Sequence, residues 1–255
     1  MKKQRNYVPC TSRCASGLVK YIEERKWKNM PGYILHLTAA KMYLDKQTPD
    51  SPLRQDEEEQ NDFYIGNLLP DTVYTKNKSH FRDSAYRGRM MEWPHPERFR
   101  RKYSGRMNEA VYQGYYFHLC IDKYFFRDYI PEVVTFYDDS GRETDQRDEI
   151  RKVLIKKSGE CVAVERYLSE EYYYGDYTKM NTWLCEKYSL PDRLRPVKAS
   201  GIAEADDSGV ERILAEIEEY RKVPADAVKD LKVFEPESLT AFLEKTVQRL
   251  LKSVR

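Results

Sequence analysis

The sequence predicts a mainly α fold with a small β-hairpin insertion and a helical hairpin at its C-terminal end. Three observations carry this. Apolar residues recur at helical spacing along most of the chain, and β-type character is confined to 132–168. The stretch from Asn108 to Ile130, NEAVYQGYYFHLCIDKYFFRDYI, is apolar over most of a helical circumference, which marks a buried central helix. The chain divides into a basic lead (1–29), a main helical domain (30–195) and the terminal hairpin (196–255).

Taken in order, residues 1–28 hold eight Lys and Arg against two Glu and run into a Pro31-Gly32 turn. Ile34, Leu37, Ala39, Ala40, Met42 and Leu44 then fit a helix over 33–44. Residues 47–62 are polar, acidic and broken by two prolines, which predicts a loop. FYIGNLLPD is an apolar run that Pro70 brings to an end. Residues 72–107 read as irregular, with a basic patch over 82–106. Asn108 is a good N-cap, Glu109 suits the positive end of the helix that follows, and Pro131 stops it. EVVTFYDDSGRE and VLIKKSGECVAVERYL are β-type pieces around Ser-Gly turns, and Tyr172–Tyr188 returns to helix. VERILAEIEEYRK and LTAFLEKTVQRLLK are amphipathic and supply the terminal hairpin, whose apolar faces suit docking on the core or on a partner.

Composition bounds the function. The 255 residues carry 44 Lys and Arg against 42 Asp and Glu, a net charge of +2, so no stable nucleic-acid complex driven by electrostatics is expected. A mean hydropathy of −0.81 looks polar enough for disorder, but 21 Tyr, 9 Phe and 3 Trp give a folding core. No secretory signal or membrane-spanning run is visible. Five widely spaced cysteines do not form a disulfide framework, so a cytoplasmic protein is expected; Cys10 and Cys14 read as reduced thiols rather than a metal site.

Only four histidines are present, and three of them lie beside structured apolar segments: His36 in MPGYILHLTAAK, His80 in KSHF, and His118 in the central helix. His118 and Asp122 form an HxxxD pair that places imidazole and carboxylate on one helical face, where they can hold a divalent cation. Each residue has a plainer reading alone: Asp71 as a cap after Pro70, His36 as a core imidazole, His118 with Asp122 as a hydrogen-bonded pair. Together they absorb almost the whole histidine inventory. His95, between Pro94 and Pro96, reads as a loop residue outside the set.

MPGYILHL, GNLLPD, KSHF and GYYFHLCIDKYFF, in this order over roughly residues 30–190, resemble the zinc-dependent phospholipase C family, in particular its intracellular bacterial branch. The superfamily includes single-strand-specific nucleases, and its helical metal-binding fold is what the resemblance implies for residues 30–195. It further implies that Asp71, His80, His118 and Asp122 hold one zinc, and that His36 and Asp122 serve a second. Secreted relatives use a free N-terminal residue and, for a third zinc, two more His and a Glu. This chain begins about 30 residues too early for the first and has no His after His118 for the second. Asp128 and Asp176 are the additional carboxylate candidates, and oxygen ligands there would favour Mg²⁺, Mn²⁺ or Fe. One complete metal site, a partial second and no ordinary third are therefore expected.

The expected activity is hydrolysis of a small phosphoester, with the family pointing to a phosphodiester. One or two Zn²⁺ ions would activate a water that Asp71 orients or deprotonates. Arg82, Arg87 and Arg89, with Arg98, Arg100 and Arg101 in the same basic stretch, are candidates for binding the substrate phosphate. Tyr172, Tyr173 and Tyr174 suit core packing better than a stacking pocket. Two rival readings stand beside this one. A non-catalytic metal-binding regulatory or interaction protein would explain the missing third site. An HD-type nucleotide phosphohydrolase is disfavoured, since no adjacent His-Asp pair occurs.

Overall fold

A computed structural model describes residues 32–73 and 75–253; the basic lead 1–29, with Cys10 and Cys14, lies outside the described residues. Helix α1 (Tyr33–Asp45) buries nearly every side chain from Tyr33 to Leu44, His36 included, because it is contacted all round. The elements it touches are described below.

Of the 47–62 segment read as a loop, 47–51 is irregular and the rest, from Pro52 on, is mostly helical. Pro52 sits in the first turn of α2 (Pro52–Gln55), where its missing N–H costs nothing. Asp56 then caps α3 (Glu57–Leu68), accepting from the N–H groups of Glu58 and Glu59. Glu57, Glu58 and Glu59 occupy the first turn, where the helix dipole favours negative charge. Pro52 and the acids that suggested a loop are helix starts, while Pro49 lies in a turn. Helix α3 gives way to a 3-10 turn, Leu69–Asp71, which contains Pro70.

The 72–107 stretch holds two short helices, α4 (Lys76–Ser79) and α5 (Pro96–Lys102). Helix α6 (Ala110–Tyr124) begins later than the sequence suggested, and neither Asn108 nor Glu109 caps it with its side chain. The Ser104–Arg106 turn instead brings the Arg106 guanidinium onto the Glu109 carboxylate at 2.7 and 2.6 Å. Beyond Tyr124 the helix widens into a π turn, Phe125–Tyr129, and closes with α7 (Ile130–Val133), so Pro131 lies inside the final turn.

The closest helix pair is α3 with α6, and two glycines set its spacing. A Cβ on Gly114 would lie 2.1 Å from the Phe63 carbonyl oxygen, and one on Gly66 would lie 2.1 Å from that of Val111. Only residues without a side chain allow backbones to approach like this.

The β-type region is a three-stranded antiparallel meander rather than a single hairpin: β1 (Val134–Tyr137), β2 (Lys152–Ile155) and β3 (Glu160–Ala163). Val134 pairs with Ile155, and Lys152 with Ala163. Alternation buries Val134, Phe136, Val153, Ile155 and Val162. The expected Ser-Gly turns are present, with Gly141 and Gly159 at φ of 80° and 71°. The 138–151 loop folds back onto the 82–94 loop: Met90 N–H donates to Asp145 at 2.7 Å and Arg147 N–H to Gly88 at 2.8 Å.

After the short α8 (Val164–Tyr167), helix α9 (Tyr173–Tyr188) packs against α1. The two amphipathic C-terminal helices are both seated on the core. Helix α10 (Val210–Tyr220) buries Val210, Ile213 and Ile217 and packs on α1, α3 and α9. Helix α11 (Pro236–Ser253) buries Leu239, Leu243, Val247 and Leu250 and packs on α1 and α6. The hub α1 is thus enclosed by α3, α6, α9, α10 and α11. Among the described residues no helix is long and apolar enough to cross a membrane.

Candidate metal centre

Three helical elements and two turns bring His36, Asp71, His80, His118 and Asp122 together. His36 is on α1 and Asp71 ends the 3-10 turn after α3. His80 follows α4, and His118 and Asp122 are one turn apart on α6. All five are buried, with His118 fully so. The His36 and His118 rings stack at 3.8 Å, and His80 meets His118 edge-on at 5.2 Å.

The remote nitrogens converge. His118 Nε2 lies 3.3 Å from His80 Nε2 and 3.7 Å from Asp122 Oδ2. His80 Nε2 is 3.4 Å from Asp122 Oδ2 and 3.6 Å from Asp71 Oδ1, and His36 Nε2 is 3.2 Å from Asp122 Oδ1. Potential ligand atoms within 4.8 Å of one another form two groups, His36–His118–Asp122 and Asp71–His80–His118.

Hydrogen bonding on the far side of each ring decides what faces inward. His118 Nδ1 lies 2.8 Å from the Asn67 carbonyl oxygen, which can only accept, so Nδ1 carries the proton. His80 Nδ1 lies 2.9 Å from Ser79 Oγ, a hydroxyl that can accept from it while donating to the Lys76 carbonyl at 3.3 Å. With Nδ1 carrying the proton on both rings, the two Nε2 lone pairs point at each other and at two carboxylates. That concentration of electron pairs in a buried space calls for a cation. The donor set of imidazole nitrogen and carboxylate oxygen fits Zn²⁺ or a related divalent ion.

An imidazole nitrogen has one lone pair, so His118 can serve one ion only. Asp122 can serve two, since Oδ1 faces His36 while Oδ2 faces His80 and His118. A fuller site comprises Asp71, His80, His118 and Asp122 Oδ2; a sparser one comprises His36 and Asp122 Oδ1. His36 Nδ1 is buried without a hydrogen-bond partner, so its ring lacks the orienting bond that the other two have.

The electrostatics agree. Burial works against charge on Asp71, yet Lys76, whose Nζ is 2.5 Å from Oδ1, and the imidazoles outweigh it and hold the carboxyl far below its usual range. Asp122 is held down likewise, burial being outweighed by the three imidazoles. Burial pushes His80 down to about 4 and, with His118 beside it, lowers His36. Burial also opposes charge on His118, but Asp122 outweighs it and raises that pKa, so the pocket attracts positive charge at Nε2.

Other expected residues lie elsewhere. Asp128 is on the π turn, bound by the Arg127 guanidinium at 2.6 and 2.8 Å, and joins neither group. Asp176 is fully buried but accepts the backbone N–H groups of Lys232, Val233 and Phe234; it anchors the C-terminal segment to α9 and joins neither group. Arg89 is paired with Asp145 at 2.8 Å, Arg98 with Asp83 at 2.7 Å, and Arg87, Arg100 and Arg101 are exposed. Arg82, in the same stretch, is half-buried and lies 3.6 Å from Glu92 Oε2; burial lowers its pKa. Tyr172 hydrogen-bonds Glu160, and Tyr173 and Tyr174 pack in the core. His95 lies 3.6 Å from Asp83, outside the cluster.

Sequence reasoning missed three contributors: Asn67, Lys76 and Ser79. Asn67 also donates from Nδ2 to the His36 carbonyl at 2.8 Å, tying α1 to α3 at the site. The GNLLPD segment held a signal for Asn67, since its polar side chain sits inside an apolar run. No family model matches the chain, and no curated protein or solved structure matches it.

Proposed function

We propose that the protein is a metal-dependent phosphoester hydrolase related to the zinc-dependent phospholipase C and single-strand nuclease superfamily. The observation that carries this is the inward convergence of His80 Nε2 and His118 Nε2 on Asp71 and Asp122, with His118 Nδ1 against the Asn67 carbonyl oxygen and His80 Nδ1 against the Ser79 hydroxyl. Asp71, His80, His118 and Asp122 would hold the principal ion, and His36 with Asp122 a second. A divalent ion there supplies Lewis acidity, which makes water acidic near neutral pH and offsets charge on a phosphoryl group.

The chain's own groups do the rest. Asn67 and Ser79 fix the tautomers of His118 and His80. Lys76 and the imidazoles keep Asp71 ionised, so that its carboxylate would be available to hold the ion and orient a water beside it. Burial of all five residues limits access of bulk water, which strengthens every charge interaction at the site. The resemblance points to a phosphodiester, and the site chemistry is equally suited to a monoester.

Elemental analysis of protein purified without added metal tests the reading. Bound Zn²⁺, Mn²⁺ or Fe is expected, lost in His118→Ala and Asp122→Ala, together with turnover of a phosphoester panel. Metal-free protein whose stability is indifferent to chelator would refute it. Metal-loaded protein that turns over nothing in the panel would leave a non-catalytic metal-binding protein.

A further inference from the structure

Thr72, the residue after Asp71, is buried and is gripped by a distant part of the chain. The Asp206 N–H donates to its hydroxyl at 2.9 Å and Arg212 Nη2 to its carbonyl at 3.2 Å, from 134 and 140 positions further along. The same hydroxyl donates to the Leu69 carbonyl at 2.7 Å, closing the 3-10 turn whose last residue is Asp71.

Between these two contacts Gly209 lies against the same peptide. Its φ of −75° and ψ of −12° are open to any residue, so position 209 does not need glycine for its conformation. It needs the space: a Cβ there would lie 2.8 Å from the Thr72 carbonyl oxygen and 3.0 Å from Thr72 Cβ. The segment is anchored without help from Thr72. Asp206 accepts from the Ser208 N–H at 3.1 Å and starts a 3-10 turn, Asp207–Gly209, that runs directly into α10. Val210 is fully buried in the cluster of Ile65, Leu69 and Tyr112, and Arg212 Nη1 is held by Glu216 at 3.0 Å.

We propose that residues 206–212 clamp Thr72 and thereby position the Asp71 carboxylate for a divalent cation. Asp206, Gly209 and Arg212 are then positioning residues of the metal centre, acting on Asp71 through its neighbour. The inference deepens the hydrolase reading and rests on it. His36, His118 and Asp122 ride on long helices, which fix them, whereas Asp71 ends a turn of three residues and has to be held from outside. Widening the Gly209 contact from 2.8 Å to the 3.4 Å at which ordinary contact begins requires a shift of about 0.6 Å. The tolerance of a metal–ligand distance is about 0.2 Å, so a third of that shift reaching Asp71 is enough to disturb the site.

The test measures Zn²⁺ affinity of the full chain by competition with a chelating dye, and thermal denaturation with and without Zn²⁺. Gly209→Ala and Thr72→Val should each weaken Zn²⁺ binding about ten-fold or more, as changes just beyond the ligands of a metal commonly do. Both should also narrow the gain in Tm that Zn²⁺ gives. Thr72→Ser keeps the hydroxyl and should bind as wild type does. Asp176→Asn loosens a different anchor of the C-terminal segment, and should lose stability without losing affinity. Thr72→Val only exchanges a hydroxyl for a methyl group, and it carries the test if Gly209→Ala does not fold. Variants that lose Tm equally with and without Zn²⁺, at wild-type affinity, overturn the clamp and leave the metal centre standing. Wild-type protein that binds neither Zn²⁺ nor Mn²⁺ overturns the hydrolase reading and the clamp with it.

Discussion

Replacing Gly114 by Ala tests whether the spacing of α3 and α6 builds the metal centre. The new Cβ would meet the Phe63 carbonyl oxygen at 2.1 Å and the Asn67 nitrogen at 2.9 Å. Both are backbone atoms and cannot rotate aside. Moving from 2.1 Å to the 3.4 Å at which ordinary contact begins requires the helices to part by about 1.3 Å. The bond from His118 Nδ1 to Asn67 O is 2.8 Å, and the tolerance of such a bond is a few tenths of an ångström. Two effects then oppose one another. Ala in a helix interior is favoured over Gly by about 1 kcal/mol. Overpacking a rigid contact costs about 1–3 kcal/mol, and a backbone clash belongs at the upper end. The clash should win, with a net loss on the order of 2 kcal/mol, a fall in Tm of several degrees, and loss of part of the bound metal. Gly105→Ala, where a Cβ meets nothing within 4 Å, is the matched control and should change stability little. Thermal denaturation and elemental analysis of both variants decide the matter. A Gly114→Ala protein with wild-type Tm and full metal content would refute the argument.

Asp176→Asn should lower stability by about 2–3 kcal/mol, because a carboxylate accepting three buried backbone N–H groups is replaced by an amide with one acceptor. Its metal content should stay at the wild-type value below the transition, and loss of metal would return Asp176 to the ligand set. Asp56→Ala removes the cap of α3 and should cost about 1 kcal/mol in urea denaturation; no change would restore the loop reading of 47–62. Burial pushes the Cys120 thiol up to about 12, while Cys161 is exposed. Iodoacetamide at pH 8 should therefore modify Cys161 and spare Cys120 until the protein unfolds, as peptide mapping would show; early labelling of Cys120 would contradict its placement.

The helices with strong apolar spacing were legible from the residues alone, as were the Ser-Gly turns and the common face of His118 and Asp122. Periodicity is a local property, and these are local features. The 47–62 segment misled because Pro and Glu are loop residues by composition but helix-start residues by position, and only Asp56 in the capping position separates the two. Asn108 misled in the opposite sense: a good capping residue went unused because Arg106 and Glu109 found each other. At the site, Asn67 meets His118 through its backbone carbonyl, which side-chain chemistry does not report. Lys76 reaches the centre through tertiary folding of a short loop, which spacing along the chain does not encode. Asp176 had the right chemistry for a ligand, and its capture by three N–H groups of a distant segment depends wholly on where the C-terminal segment docks.

The acceptor that orients His118 is a main-chain oxygen, so mutation at position 67 cannot delete it. Any residue there still offers its carbonyl, and only a shift of the helix that carries it can turn the imidazole over. The tautomer of His118 is thus set by geometry, while the Asn67 side chain separately ties α3 to α1 through the His36 carbonyl. A saturation library at position 67 should preserve the ring's tautomer wherever α3 keeps its place. Libraries at positions 66 and 114, which scarcely touch the ligands, should be the harsher filter on metal retention.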